Sequence, residues 1–136
     1  MTLIITAMAR VHSVPHHFEA MIRILRLAES GRPAQLLFNS VRWDFAYTEN
    51  QPPGKLYAIH LDFCDAHGDS LAADQSLPIG IEIPARIVVR FNEMDENLHR
   101  SRIREGVRFY CHERGKRIAE GRVTRVTGLM NKRPTQ

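Results

Sequence analysis

One stretch of the sequence decides the fold: Glu105-Gly-Val-Arg-Phe-Tyr-Cys-His-Glu-Arg-Gly-Lys-Arg-Ile-Ala-Glu-Gly-Arg-Val-Thr-Arg-Val-Thr127. In its first half the apolar residues Val107, Phe109 and Cys111 alternate with polar ones, which is the period of a strand buried on one face. The polar residues 113–116 then supply a short turn, with glycine at position 115 where a positive φ is expected. A second alternating segment follows over residues 117–126, so the stretch predicts a β-hairpin.

Two positions in the hairpin carry further expectations. Gly121 lies inside the second predicted strand, where a glycine indicates a β-bulge or a close approach of another group. Cys111 falls on the inward side of the first strand together with Phe109. We therefore interpret Cys111 as core filler rather than as a nucleophile.

The hairpin fits the pattern E-G-x-R-F-x-x-x-E-x-G-R-x-V-x-x-G-x-V, and in this it resembles the closing hairpin of the third domain of translation elongation factor Tu. The matching residues are Glu105, Gly106, Arg108, Phe109, Glu113, Gly115 and Gly121. Lys116 and Ile118 are conservative departures from the pattern. The resemblance implies a closing β-hairpin of a barrel domain.

A second match lies near the start of the chain. Residues 18–32 follow, without a gap, the opening strand of the same domain, F-E-A-E-V-Y-I-L-x-K-x-E-G-G-R. Residues 17–27 are ambiguous, because apolar residues there recur at helical as well as at strand intervals, and hydrophobic spacing alone slightly favours a helix that ends near Gly31. The resemblance implies instead a strand followed by a turn.

The segment from Ala34 to Tyr47 is similar to the family's F-F-x-G-Y-R-P-Q-F-Y. Arg42 and Phe45 hold their places, whereas the family's glycine, proline and glutamine are replaced by Ser40, Trp43 and Asp44. This segment predicts a strand pair or one long bent strand. Residues 55–65 alternate cleanly and predict a strand, residues 66–76 predict a polar loop, and residues 85–91 fit a further strand.

Many short strands separated by glycine- and proline-containing turns predict an all-β domain. The resemblance implies a six-stranded antiparallel Greek-key barrel, like the C-terminal domain of elongation factor Tu, over residues 15–128. An N-terminal lead-in segment (1–14) precedes it, and a basic tail (129–136) follows. Residues 92–97 are expected to be an acidic insertion.

Composition is that of one soluble globular domain: 136 residues, 43% of them hydrophobic and 25% charged. No apolar run approaches the length of a membrane span, and the first residues lack a signal-peptide pattern. The two cysteines have no CxxC spacing, so we expect reduced thiols. We therefore expect a cytoplasmic protein with no membrane partner.

Positive charge is concentrated at the C-terminal end. From His99 onward eleven Lys and Arg residues face three Glu, a net charge of +8, while the rest of the chain has eight against twelve, or −4. A basic region of this kind suggests an anionic partner, with nucleic acid as the first candidate. The alternative is a solvated face that arginine keeps soluble.

Motifs for catalysis are absent from the sequence. There is no GxxxxGK[ST] phosphate loop, no GxSxG, no HExxH and no glycine-rich dinucleotide turn. We therefore expect no enzymatic activity and no cofactor. His60, Asp62 and Cys64 share one face of a predicted strand and have the side chains of zinc ligands. Because they match no zinc spacing and alternation produces such trios by chance, we predict no metal site.

The resemblance implies RNA binding, because in elongation factor Tu this domain contacts the T-stem and acceptor arm of aminoacyl-tRNA. Carried over position by position, the family's contact residues fall on Arg32, Arg42, Asp44, His99 and the turn residues Glu113 and Arg114. Asp44 replaces a neutral amide and would repel phosphate, whereas Arg100 and Arg102 could stand in for the lysine that His99 replaces.

The expected partner is thus structured RNA of the tRNA type, bound through its backbone. The predicted RNA-binding residues are Arg32, Arg42, His99, Arg100, Arg102, Glu113 and Arg114. The structural alternative is that Arg42 lies along an aromatic neighbour and that Arg32 caps a turn. The functional alternative is a translation-related protein-interaction module that does not bind RNA, since the same domain of the elongation factor also meets its exchange factor. The oligomeric state stays open.

Overall fold

The computed structural model describes residues 16–30, 36–48, 55–90 and 99–128. The predicted lead-in segment, the tail, Arg32 and the predicted insertion at 92–97 lie outside these residues. The described part contains six strands: β1 Phe18–Ile24, β2 Arg42–Tyr47, β3 Tyr57–Phe63, β4 Glu82–Val89, β5 Arg108–Glu113 and β6 Lys116–Val126. A four-residue helix, α1 (Leu27–Ser30), follows β1, and residues 99–102 are also helical.

The six strands close into an antiparallel barrel in the order β1-β4-β3-β2-β5-β6, with β6 returning to β1. Between β1 and β2 the chain crosses two other strands of the barrel, and it again crosses two strands between β4 and β5. These two crossing connections are those of a Greek key. The predicted six-stranded antiparallel barrel is confirmed. Within the described residues, no helix is long and apolar enough to cross a membrane.

The strand implied for the start of the domain is confirmed, and the helix that hydrophobic spacing slightly favoured there is wrong. Every second residue of β1, from Phe18 to Ile24, points into the barrel, so the side chains follow a period of two. The prediction for 34–47 holds only for β2. Residues 36–41 are not a strand, although Phe38 forms an isolated bridge with Ser76. The predicted strand at 85–91 begins earlier, at Glu82.

The predicted closing hairpin is confirmed as β5 and β6. Its two turn residues, Arg114 and Gly115, have φ values of 53° and 81°. Positive φ at both central positions is the geometry of a two-residue type I′ turn, whose twist matches that of the flanking strands. Phe109 and Cys111 are fully buried, as expected from the alternation.

Three phenylalanine rings fill the middle of the barrel. Phe45 of β2 and Phe109 of β5 stack with ring centroids 4.6 Å apart. Phe18 of β1 meets both rings edge-on, at 6.2 and 5.9 Å. Because β1 and β2 lie on opposite sides of the closed ring of strands, this cluster joins the two halves of the barrel.

Gly121 on β6 makes room for this cluster. A methyl group placed on Gly121 would clash with the Phe109 ring and would lie 2.8 Å from Ile22 Cδ1. The close approach predicted from the sequence is therefore confirmed. The bulges are elsewhere: the register shifts between Cys111 and His112 in the β5–β6 pair, and between Glu19 and Ala20 in the β1–β6 pair.

We expect Gly121→Ala to lower the free energy of unfolding by roughly 1–3 kcal/mol, because overpacking forces neighbouring side chains off their rotamers. Urea denaturation measures this change. Phe109→Leu provides the matched test, since the smaller side chain leaves space for the added methyl. The double variant should lose less stability than the sum of the two single variants. Strict additivity would show that Phe109 is not what Gly121 accommodates.

Candidate functional site

Arg42 begins β2 on the outward face of the barrel and is exposed. Its Cα partner on β3 is His60. On the other side, the β2–β5 pairing begins at Asp44 and His112, and Arg114 in the β5–β6 turn lies toward the same end of the two strands as Arg42. The structure thus brings together two of the residues predicted to bind RNA.

Arg90 joins this group from β4. It follows Val89, the last residue of the strand, its backbone N–H donates to Ala58 O at 2.8 Å, and its side chain is exposed. We name the group of Arg42, His60, Arg90 and Arg114 the Arg42 surface.

The pKa of His60 is sensitive to the charge of the Arg42 surface. The pKa of His60 lies below its ordinary value, chiefly because partial burial disfavours the charged imidazolium. The positive charges of Arg42 and Arg90 lower it further, and they outweigh the opposite influence of Asp62. Arg42 and Arg90 therefore both act electrostatically on His60.

Two acidic residues partly offset the positive charge of the Arg42 surface. Asp44 points outward on β2, two residues from Arg42, between Ala58 and His112. Glu113 is half-buried beside the hairpin turn, next to Arg114. The family pattern has glutamine at the position of Asp44, and an aspartate there would repel phosphate. Because Asp44 lies on the same face as Arg42, this repulsion would act on the Arg42 surface.

The turn before β2 has an unusual backbone. Ser40 has a φ of 70°, a conformation that non-glycine residues rarely adopt. The side-chain carbonyl of Asn39 accepts hydrogen bonds from Ser40 N at 2.8 Å and from Phe63 N at 2.7 Å, which holds the turn against β3. Ser40 Oγ lies 2.7 Å from His60 Nε2. The turn that leads into Arg42 is therefore fixed from both sides.

Sequence reasoning missed the Ser40–His60 pair, because the two residues are 20 positions apart and meet only through the β2–β3 register. A hydroxyl beside an imidazole is the first half of a nucleophilic triad. Asp62, the next residue on the same face of β3, does not serve as the third member, because its carboxylate is occupied by Arg86 and Ser70. The pair ties the turn to the barrel.

Asp62 is instead the centre of a buried polar network. Its Oδ2 accepts from Arg86 Nη2 at 2.9 Å and from Ser70 Oγ at 2.8 Å, and its Oδ1 accepts from Asn39 Nδ2 at 3.1 Å. Arg86 Nη1 also donates to Gly68 O at 2.6 Å. A buried ion pair satisfied in this way holds the loop after β3 against the barrel wall.

The network also concerns the metal site considered for His60, Asp62 and Cys64, because the Asp62 carboxylate is already hydrogen-bonded within it. Burial raises the pKa of the Cys64 thiol to about 11, so the thiolate needed for a metal is disfavoured. No three His, Cys, Asp or Glu residues in the described ranges are grouped so that they could hold a metal ion.

His99 lies in the core rather than on the surface. It is fully buried; its Nδ1 is 2.7 Å from the Tyr47 hydroxyl, and its ring lies 4.4 Å from that of Tyr57, centroid to centroid. The His99 side chain, which was predicted to contact RNA, is therefore not exposed on the barrel surface.

Arg100 and Arg102 follow His99 and are half-buried. The Arg102 guanidinium stacks on the Tyr47 ring, 4.1 Å from its centroid. Tyr47 ends β2, whereas Arg42 begins it, and five residues of extended strand span roughly 17 Å. The predicted RNA-binding residues are therefore divided between the two ends of β2.

A groove of about 590 Å³ lies on another side of the barrel, between β1, β4 and the loop after β3. Glu19 in this groove accepts from Arg125 Nη2 at 2.8 Å and lies 2.9 Å from His16 Nε2. Although partial burial acts to raise its pKa, these two partners hold the pKa of Glu19 below its ordinary value. The Glu19 carboxylate of the groove is thus paired with Arg125 and His16.

No protein-family model and no curated protein matches this chain significantly.

The charge of the Arg42 surface is testable through His60. We expect Arg42→Gln to raise the pKa of His60, because one of the two positive charges that disfavour its imidazolium is removed. The titration of the His60 ring protons by NMR measures this. Arg23→Gln, the same change on β1, should leave the midpoint unaltered. If the midpoint does not move in Arg42→Gln, the two side chains do not interact electrostatically in solution.

Proposed function

We propose that this chain is a non-enzymatic binding domain. Its barrel binds structured RNA of the tRNA type through contacts to the RNA backbone. The proposal extends the resemblance to the third domain of elongation factor Tu. The observation that carries it is the Arg42 surface, where Arg42 of β2 and Arg90 after β4 both act on His60, and Arg114 of the β5–β6 turn lies toward the same end of the barrel as Arg42.

The arginines of this surface suit such a partner. A guanidinium presents a planar fork of donors that matches phosphate oxygens. Structured RNA is recognised largely by its shape and by contacts to phosphates and 2′-hydroxyls. Arg42, Arg90 and Arg114 come from three different elements of a rigid barrel, so their relative positions are set before binding. This preorganisation lowers the entropic cost of association.

The pairing of charges elsewhere on the barrel supports the same choice. On the opposite side, Arg23 is bound by Glu29 at 2.8 Å and by Glu120 at 3.2 Å, and Arg125 is bound by Glu19. No acidic side chain among the described residues forms a salt bridge with Arg42, Arg90 or Arg114. Arg42, Arg90 and Arg114 are therefore available to a ligand, whereas Arg23 and Arg125 are paired with glutamates.

The backbone at Ser40 supports the family relationship on which the proposal draws. The family has glycine at this position, and the positive φ of Ser40 is the conformation for which glycine is ordinarily required. The serine keeps this conformation with the help of the Asn39 amide. The departure from the family pattern at Ser40 is thus a change of residue within the same kind of turn.

Two features of the cysteines favour a binding role over catalysis. Cys64 and Cys111 are both buried, and burial raises the pKa of each thiol above its ordinary value. A protonated, inaccessible thiol is a poor nucleophile.

Bulk tRNA should bind with an affinity that falls steeply as salt rises, because cations are released from the RNA when arginines replace them. In Arg42→Gln/Arg114→Gln the slope of log affinity against log salt should fall by about 2, since each arginine removed takes away about one phosphate contact. Fluorescence titration of labelled tRNA at several salt concentrations measures both quantities.

Arg23→Gln/Arg125→Gln is the matched control, since it removes the same charge from the opposite side of the barrel. Both arginines are in surface ion pairs, so their replacement is expected to cost little stability. Equal effects of the two double variants would mean that net charge alone attracts the RNA. Absence of binding at low salt would reject the proposal.

A second candidate function is protein binding, which the exposed apolar residues favour. Leu36 is 70% exposed and Ile81 is 54% exposed. Their segments are neighbours, because Leu77 N donates to Leu37 O at 2.7 Å. Exposed apolar side chains of this size are typical of protein contacts when they are grouped.

The protein-binding candidate predicts association with the exchange factor of elongation factor Tu, the protein partner that the resemblance implies. Sedimentation of the mixed purified proteins would detect a complex. Leu36→Ser/Ile81→Ser should abolish it without changing the free energy of unfolding, because both side chains are exposed. A complex that survives this double change would not involve these residues, and no complex would leave this candidate without support.

A further inference from the structure

Ser40 is joined to the Arg42 surface through its hydrogen bond with His60. Ser40 Oγ lies 2.7 Å from His60 Nε2, and His60 is the Cα partner of Arg42 across the β2–β3 pair. Ser40 and Arg42 are both exposed, and His60 is half-buried between their two segments and β4. A hydroxyl, an imidazole and a guanidinium are therefore neighbours on the outer face of the barrel.

The direction of this hydrogen bond depends on the protonation of His60. A serine hydroxyl can donate or accept, whereas both nitrogens of an imidazolium can only donate. A neutral ring with a lone pair on Nε2 accepts from Ser40, and the hydroxyl hydrogen is then used within the pair. When His60 is protonated, Nε2 donates to Ser40 Oγ instead. The pair stays intact, and Ser40 gains a hydrogen that it can donate to an anion.

Groups from several segments act on the charge of His60. Burial is the first cause that holds the pKa of His60 below its ordinary value, and the positive charges of Arg42 and Arg90 follow. Asp62 of β3 and a hydrogen bond with the Ser40 backbone act in the opposite direction and raise this pKa. An anion beside the two arginines would offset their charges and would therefore favour the imidazolium.

The other residues around His60 leave this balance in place. Val88, its Cα partner on β4, carries no charge. Arg86, the next outward residue on β4, is paired with the buried carboxylate of Asp62. Asp44 lies two residues beyond Arg42, opposite Ala58 rather than opposite His60. Arg42 and Arg90 are therefore the positive charges through which a bound anion would act on His60.

We propose that Ser40 and His60 form a proton-controlled contact to a phosphate group of the RNA that the Arg42 surface binds. The phosphate offsets the charges of Arg42 and Arg90, His60 takes up a proton from solvent, and Ser40 donates its released hydrogen to a phosphate oxygen. The inference rests on the proposed RNA binding and adds a regulation to it, because the affinity then depends on pH.

Linkage between binding and protonation fixes the direction of the pH dependence. The pKa of His60 is higher in the complex than in the free protein, so between these two values the complex holds more protons. The affinity for RNA therefore rises as the pH falls. If the pKa of His60 rises by about one unit on binding, the affinity increases by up to about ten-fold between about pH 8 and about pH 5.5.

Fluorescence titration of labelled bulk tRNA at these two pH values, with the ionic strength held constant, measures this gain. His60→Gln should bind tRNA equally well at both pH values, because glutamine does not titrate. His67→Gln is the matched control, since His67 is exposed and lines the groove after β3 rather than the Arg42 surface. It should keep the gain of the wild type to within about two-fold, as expected from screened long-range charge.

Ser40→Gly tests the hydroxyl separately from the imidazole. Glycine adopts the φ of 70° at this position without strain, so the turn before β2 is expected to keep its shape. At the lower pH the variant should bind tRNA roughly ten-fold more weakly than the wild type, the effect of losing one hydrogen bond to a charged group. At the higher pH, where the hydroxyl hydrogen is used by His60, the loss should be less than about two-fold.

The outcomes separate this inference from the proposed function. A gain at low pH that His60→Gln loses and His67→Gln keeps supports the inference. It is overturned if His67→Gln reduces the gain as much as His60→Gln does, or if Ser40→Gly weakens binding equally at both pH values. Binding that does not vary with pH, but that Arg42→Gln/Arg114→Gln weakens, overturns the inference and leaves the proposed function standing. Absence of tRNA binding at both pH values rejects the proposed function and the inference with it.

Discussion

The stacking of Phe45 on Phe109 across the barrel, with Phe18 against both rings, is the contact on which the remaining geometry depends. The three rings come from β1, β2 and β5, so none of these strands could slip without breaking the cluster. A slip of one residue would exchange the inner and outer faces of a strand. Because Phe45 points inward, Asp44 and Arg42 must lie on the outer face, and the same logic fixes Arg108 beside Phe109. Gly121 is part of this constraint, since any larger residue would displace the Phe109 ring.

How much the sequence predicts depends on whether a feature is local. The β5–β6 hairpin, its turn glycine and the inward positions of Phe109 and Cys111 follow from alternation within one short segment. The order of all six strands does not follow from alternation, and the resemblance to a known barrel was needed to predict it. In β1 the local signal was misleading, because apolar side chains at Phe18, Ile22 and Leu25 also fit a helix, and only pairing with β4 and β6 decides the matter.

The residues of the candidate site were harder to predict, because neither the charge of a residue nor its position along the chain indicates whether its side chain is buried. Arginine side chains differ in their surroundings. Arg86 is paired with a buried carboxylate, Arg23 is bound on the surface by two glutamates, and Arg42 faces solvent. His99 was expected on the surface because the family has lysine there. A histidine can enter an aromatic core at little cost when neutral, and nothing in the linear pattern around it signals that Tyr47 and Tyr57 surround it.

The two basic regions of the barrel are connected by a single rigid element. Arg42 begins β2, and Tyr47, which carries Arg102, ends it, so their separation is set by a strand whose inner face is locked against Phe109 and Phe18. A ligand that reaches both regions must therefore present anionic groups at a fixed separation. A folded nucleic acid does this without loss of freedom, whereas a flexible single strand or a disordered acidic peptide must be ordered upon binding. If the proposed anionic partner reaches both regions, the rigidity of β2 favours a structured partner over a flexible one of equal charge.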